Sequence, residues 1–158
     1  MITTTLANQI LKYFFAQTTN VSFDYGGQCY LGLSMGAPNA DGSNFNEPDP
    51  ETTGYKRRQI CIKDAIEYTN LMTVPEDGYI ENKEEITFNE ALIDYPEQVT
   101  HFGIFHKPSG NDKPLYVHPL TTSTPDENGN YQPQPVTVSK GEVLIFKQGA
   151  FSLNFSQD

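Results

Sequence analysis

The chain has no tryptophan, two cysteines, three histidines, and ten basic residues against twenty acidic ones. Each shortage excludes something. The acidic excess gives a formal net charge of -10 and a pI near 4.6, a field that repels phosphate backbones and anionic headgroups. Neither nucleic acid nor membrane is therefore expected as a partner. Cys29 and Cys61 are too few for a disulfide scaffold and could pair only if the fold made them neighbours. Their apolar surroundings, Gln28-Cys29-Tyr30-Leu31 and Ile60-Cys61-Ile62, favour two buried free thiols. No run approaches the roughly 18–20 apolar residues that span a bilayer. Met1-Ile2-Thr3-Thr4-Thr5 lacks a basic n-region, and Lys12 interrupts the chain before an apolar h-region can form. No signal peptide is read, and a soluble protein made in a reducing cytoplasm is expected.

What is present is aromatic and heavily punctuated. Ten Phe and nine Tyr supply the apolar area of a folded core, and 158 residues suit one domain. Leu6, Ile10, Tyr13 and Phe14 recur at helical spacing behind a Thr-rich run that can supply an N-cap, which predicts an amphipathic helix over 5–16. After residue 20 the pattern changes to short runs bounded by Gly, Pro, Asn and Asp, as in all-β proteins. Candidate strands are 21–25, 29–35, 56–65, 85–88, 100–105, 114–117, 136–138, 141–146 and 151–155. The expected architecture is an antiparallel, jelly-roll-like β-sandwich over 19–158 with an N-terminal helical segment 1–18, as one domain. Loops 36–53 and 122–135 are too rich in Pro and Gly to hold helix or strand interiors. Segment 68–82 is ambiguous, and Pro108-Ser109-Gly110-Asn111 reads as a hairpin connection.

Gly32-Leu33-Ser34-Met35-Gly36 matches the G-x-S-x-G nucleophile elbow. That motif requires a helix directly after the serine, and Ala37-Pro38-Asn39-Ala40-Asp41-Gly42 cannot form one. Ser34 is therefore expected as a solvent-facing residue at a strand end, and no catalytic residue is assigned. The loop 41–49 is rich in hard oxygen ligands; Asp41, Asn44, Glu47 and Asp49 are weak calcium candidates, but the spacing is not that of an EF-hand. His101, His106 and His118 are the only histidines; His101 and His106 are an odd number apart and so face opposite sides of one strand, and with no Cys pair nearby a zinc site is not expected. Cofactors are not expected, because Walker, dinucleotide-binding and HExxH patterns are all missing. Exposed Tyr68, Tyr79, Tyr95 and Tyr131 on loops could stack on sugar rings.

Val99-Thr100-His101-Phe102-Gly103-Ile104-Phe105-His106 is the most distinctive segment, and Gly103 within it suggests a close backbone approach or a bulge. Together with Gly54-Tyr55-Lys56-Arg57-Arg58-Gln59, Ile86-Thr87-Phe88-Asn89-Glu90-Ala91, Leu115-Tyr116-Val117-His118-Pro119-Leu120-Thr121 and Gly141-Glu142-Val143-Leu144-Ile145-Phe146, it resembles a family of small tailed-bacteriophage virion proteins labelled tail fibre proteins. The departures from that pattern are Lys56 and Arg57 in place of a small residue, His106 in place of an acidic one, and a longer loop 122–135. They are expected on turns and loops that vary with the partner. The resemblance implies a non-enzymatic virion component, assembled in the host bacterial cytoplasm, with other virion proteins as partners. A homo-oligomer is expected, a trimer being one candidate symmetry, with Leu6, Ile10 and Phe14 of the amphipathic helix as candidate contacts. Capsid decoration and carbohydrate binding are the alternatives.

Overall fold

A computed structural model describes residues 2–14, 28–63, 68–73 and 76–154; the predicted strand 21–25 lies outside them. The first element is a helix, α1 (Thr4–Phe14). After it come β1 (Cys29–Ser34), a single helical turn α2 (Pro50–Thr53), β2 (Arg58–Lys63), β3 (Tyr68–Asn70), β4 (Tyr79–Glu81), β5 (Ile86–Thr87), β6 (His101–Phe105), β7 (Tyr116–Pro119), β8 (Ile145–Phe146) and β9 (Ser152–Asn154). All strand pairs among these are antiparallel. The order β3-β2-β1-β6-β7 makes a five-stranded sheet, and β4-β9 and β5-β8 form two separate ribbons. This is the expected all-β sandwich.

The core arises from the two-residue alternation of β1 and β6. Leu31 opposes Ile104 and Leu33 opposes Phe102, which puts four large apolar side chains on one face of the sheet. That face meets Ile86, Phe88, Phe146 and Phe151 of the ribbons and their flanks. Phe102 is the hub, edge-on to Phe146 at 5.9 Å and to Phe151 at 5.1 Å between ring centroids. This geometry suits the ring quadrupole. Asn82, fully buried, holds the ribbon ends together. Its amide donates to the Glu84 and Lys147 carbonyls, and its oxygen accepts the Phe151 N–H.

Most predicted strands come out shorter or shifted; 85–88 narrows to β5 and 114–117 moves to β7. The span 141–146 narrows to β8, while 136–138 contributes single-bridge contacts, Val99 with Val136, and a Tyr95 N–H to Val138 carbonyl bond. The ambiguous segment 68–82 contains two strands, β3 and β4. Within the Pro-rich loop 36–53, Asp49 caps α2 by accepting the Glu51 N–H, Pro50 occupies the first turn, and Gly54 ends it at φ 75°. Pro at the start and Gly past the end is the favoured arrangement for so short a helix.

Candidate functional site

The opposite face of the sheet carries the least ordinary chemistry. There Gly32 and Gly103 are directly paired across β1 and β6, leaving a furrow to which neither contributes a side chain. Phe105 fills it from the sheet and Phe45 from the loop 36–53, with centroids 5.1 Å apart and planes at 80°. A Cβ on Gly103 would stand 2.6 Å from Phe45 Cε2 and 3.0 Å from Pro114 Cβ. The close approach read from Gly103 is thus the seating of a loop on the sheet.

Ser34 fastens that loop. Its hydroxyl donates to the Gly36 carbonyl at 2.8 Å and accepts the Asn46 N–H at 2.9 Å, while the Met35 N–H donates to the Asn46 carbonyl. Ser34 is fully buried, which corrects the expectation of a solvent-facing position. Buried polar groups at strand ends are kept when they satisfy loop backbone.

Above the aromatic pair sits Arg57, its side chain 3% exposed and its guanidinium carbon 3.5 Å from the Phe105 ring centroid. All five donors are used. Nε and Nη2 hold Glu47 in a two-pronged pair at 2.9 and 2.7 Å, and Nη1 reaches Asp112 Oδ1 at 2.9 Å. The Lys107 and Gly110 carbonyls take the rest. Burial alone would push the guanidinium down, but the Glu47 and Asp112 carboxylates outweigh it and hold the group above its ordinary value. The Tyr55 hydroxyl donates to Glu47 Oε1 at 2.7 Å and accepts the Leu33 N–H at 2.9 Å. Burial first, then the Glu47 charge, keeps that phenol neutral well beyond its usual range. One side chain, that of Arg57, thus joins the loop 36–53, the connection between β6 and β7, and the sheet.

A cleft of about 510 Å³ opens over this network, walled by Pro50, Tyr55, Lys56, Pro108, Ser109 and Asn111. Because Arg57, Glu47 and Tyr55 are bonded to one another, the charges of its floor are committed to structure. The sequence pattern puts Arg57 among partner-contacting loop variations. It is buried instead, with Lys56 beside it exposed.

The four calcium candidates serve four separate purposes. Glu47 pairs with Arg57; Asp49 caps α2; Asp41 accepts from Ser43 and Lys113; Asn44 is exposed in a left-handed turn at φ 59°. Among the described residues no group of three or more His, Cys, Asp or Glu is placed to hold a metal. His101 lies beside Thr100, and His118 stacks on Tyr116 and Phe102. His106 stands 4.0 Å from Asp112. Of the tyrosines, Tyr95 is buried in the core, against expectation, while Tyr79 and Tyr131 are 40% and 57% exposed; the Tyr68 side chain lies outside the described residues.

Leu6 and Ile10 are half-buried on α1, Leu11 is exposed, and the Phe14 side chain lies outside the described residues. The helix start is tied down by buried Thr3, whose hydroxyl donates to the Pro114 and Leu115 carbonyls and faces the Leu6 N–H at 3.4 Å. The expected threonine cap is there. Cys29 and Cys61 are directly opposed across β1 and β2 and are half-buried rather than buried. Among the described residues no helix is long and apolar enough to cross a membrane.

Comparison with known families matches residues 1–153 to the family described as Podophage GP4 fiber I protein gp80. No curated protein matches the chain significantly. The family match covers nearly the whole sequence, and the chain belongs to this phage fibre family.

Proposed function

From this family membership we propose that the chain is a non-enzymatic structural component of a tailed-phage virion, associated with the tail or its fibres and assembled in symmetric copies as a single domain. The observation that carries the reading is the family match over residues 1–153. The chemistry agrees with it. The charges around Arg57 are bonded to one another and to loop carbonyls, and the G-x-S-x-G serine is engaged by the Gly36 and Asn46 backbone. Partners are other virion proteins, met through surfaces such as the half-exposed Leu6 and Ile10 edge of α1 and, by the same proposal, Phe14.

The test is electron microscopy of particles carrying a label fused to the C-terminus of the chain. Label at the tail or its fibres is the expected result. Label confined to capsids would defeat it and favour capsid decoration instead.

A second reading, glycan contact, is favoured by one observation. Tyr79 and Tyr131 are both exposed and lie within electrostatic reach of each other, with Glu81 accepting from the Tyr79 hydroxyl at 2.6 Å. Exposed aromatic rings, one of them beside a carboxylate, suit a pyranose. A glycan array probed with and without calcium checks it: binding that Tyr131→Ala removes would establish this reading, and silence across the array would retire it.

A further inference from the structure

Cys29 and Cys61 belong to none of the devices described above, and their placement is specific. They are Cα partners in the antiparallel β1–β2 pair, at the point where the register slips and Ile60 becomes the extra residue of β2. Opposed residues in such pairs have Cα atoms about 4.5–5.5 Å apart, inside the roughly 4.4–6.8 Å that a disulfide bridges. Both residues are free thiols and half-buried. Beside them an opening of about 120 Å³ is lined by Met72, Ile80, Ile104, Phe151 and Leu153. A small reagent thus has access to sulfur at the end of the core.

The two thiols are chemically unequal. A hydrogen bond to Cys61, then burial, pushes the Cys29 thiol far up, and the same bond holds Cys61 below its ordinary value. That asymmetry favours Cys61 as the attacking thiolate and Cys29 as the resolving thiol.

We propose that Cys29 and Cys61 form a cross-strand disulfide by exchange with low-molecular-weight disulfides, a modification that would occur on release of the protein from the reducing cell. The Cys61 thiolate attacks a disulfide RSSR, giving a Cys61–S–S–R mixed disulfide and expelling one RS⁻. Cys29 then gives its proton to solvent base and attacks Cys61 Sγ, expelling the second RS⁻. Two protein thiols are oxidised by two electrons and one RSSR is reduced to two RSH. The new bond closes a loop containing the whole segment 36–53 and α2, so β1 and β2, the strands from which the covering of the Gly32–Gly103 furrow departs and to which it returns, are tied to each other covalently.

The experiment incubates the purified reduced chain with oxidised glutathione. Thiols are then counted in denaturant, and the product is characterised by intact mass, non-reducing electrophoresis and peptide mapping. The expected product is a monomer with no free thiol, no retained glutathione and one cross-linked peptide pair carrying Cys29 and Cys61. Its thermal midpoint should be higher by roughly 5–10 °C and return with dithiothreitol. Cys29→Ser should stop at a stable glutathione adduct on Cys61. Two thiols persisting in the treated wild-type protein, a stable adduct on the wild-type chain, or cross-links between chains would each overturn the proposal, and these readouts need no variant to fold.

Discussion

At the residue scale the molecule depends on two missing side chains and one large one. Gly32 and Gly103 are paired in the middle of a sheet, where glycine ordinarily weakens a strand, because any Cβ there would lift Phe45 and Phe105 off the backbone. Gly103→Ala should cost about 1–3 kcal/mol by overpacking, read as a lower urea midpoint at unchanged m-value. Gly36→Ala, whose Cβ would meet nothing within 4 Å, should move it by less than about 0.5 kcal/mol; equal effects at the two positions would refute the seating argument. Arg57 makes a sharper case. Arg57→Met leaves Glu47 and Asp112 without the guanidinium between them and should cost about 3–5 kcal/mol. Arg57→Lys should recover little, because an ammonium has three donors and cannot grip Glu47 with two prongs while also reaching Asp112 and two carbonyls. A lysine variant as stable as the wild type, by urea denaturation, would mean that charge alone matters there.

At the element scale, the shape of the fold was legible where side chains alternate or recur. α1, β1, β2 and β6 lie where the apolar periodicity predicts them, because each presents at least one continuous apolar face, while β7 falls two residues later than the predicted 114–117. β3 and β4 were not legible, since three-residue strands flanked by Asn, Glu, Asp and Gly have too few positions to show a period, and their pairing is settled by β2 and β9. The segment 136–138 has the strand pattern, yet Val136 lies exposed and meets Val99 only in an isolated bridge. The site was less legible than the fold. Gly103 announced a close approach, but nothing in Gly54-Tyr55-Lys56-Arg57-Arg58-Gln59 says which of three cations is buried, because Asp112 and Glu47, its partners, are 55 and 10 residues away. The helix start is likewise a long-range matter. Thr3 caps α1 and also ties it to Pro114 and Leu115, so Thr3→Val should cost about 1–2 kcal/mol and speed proteolytic cutting within 4–14. Unchanged protease sensitivity would show that α1 is held by other contacts.

At the scale of the whole molecule, a net charge of -10 makes the response to acid the most informative global property. Two kinds of group set it. His101 is held below its ordinary 6.5 by burial and then by the His118 charge, so the folded state resists protonating it. An unfolded chain binds that proton more readily, and stability present above about pH 6.5 is lost as pH falls below it toward the depressed folded value. Asp41 is lowered from 3.8 by its bonds to Lys113 and Ser43, and Asp126 by the Asn130 and Asn128 amides together with Gln132. Their contribution is present above about pH 4 and is lost only as pH falls through the folded values beneath it. Both contributions have the same sign and separate windows, so the urea midpoint should decline in two steps on acidification, one between about pH 7 and 5 and one below about pH 4. His101→Gln should flatten the first step and leave the second; Asp41→Asn should reduce the second and leave the first. Both carboxylates are solvent-exposed, so raising the salt concentration should shrink the lower step as their bonds to Lys113 and the neighbouring amides are screened. A midpoint level from pH 7 to 5, or a first step unchanged in His101→Gln, would show that the half-buried imidazole protonates as easily in the folded chain as in the unfolded one.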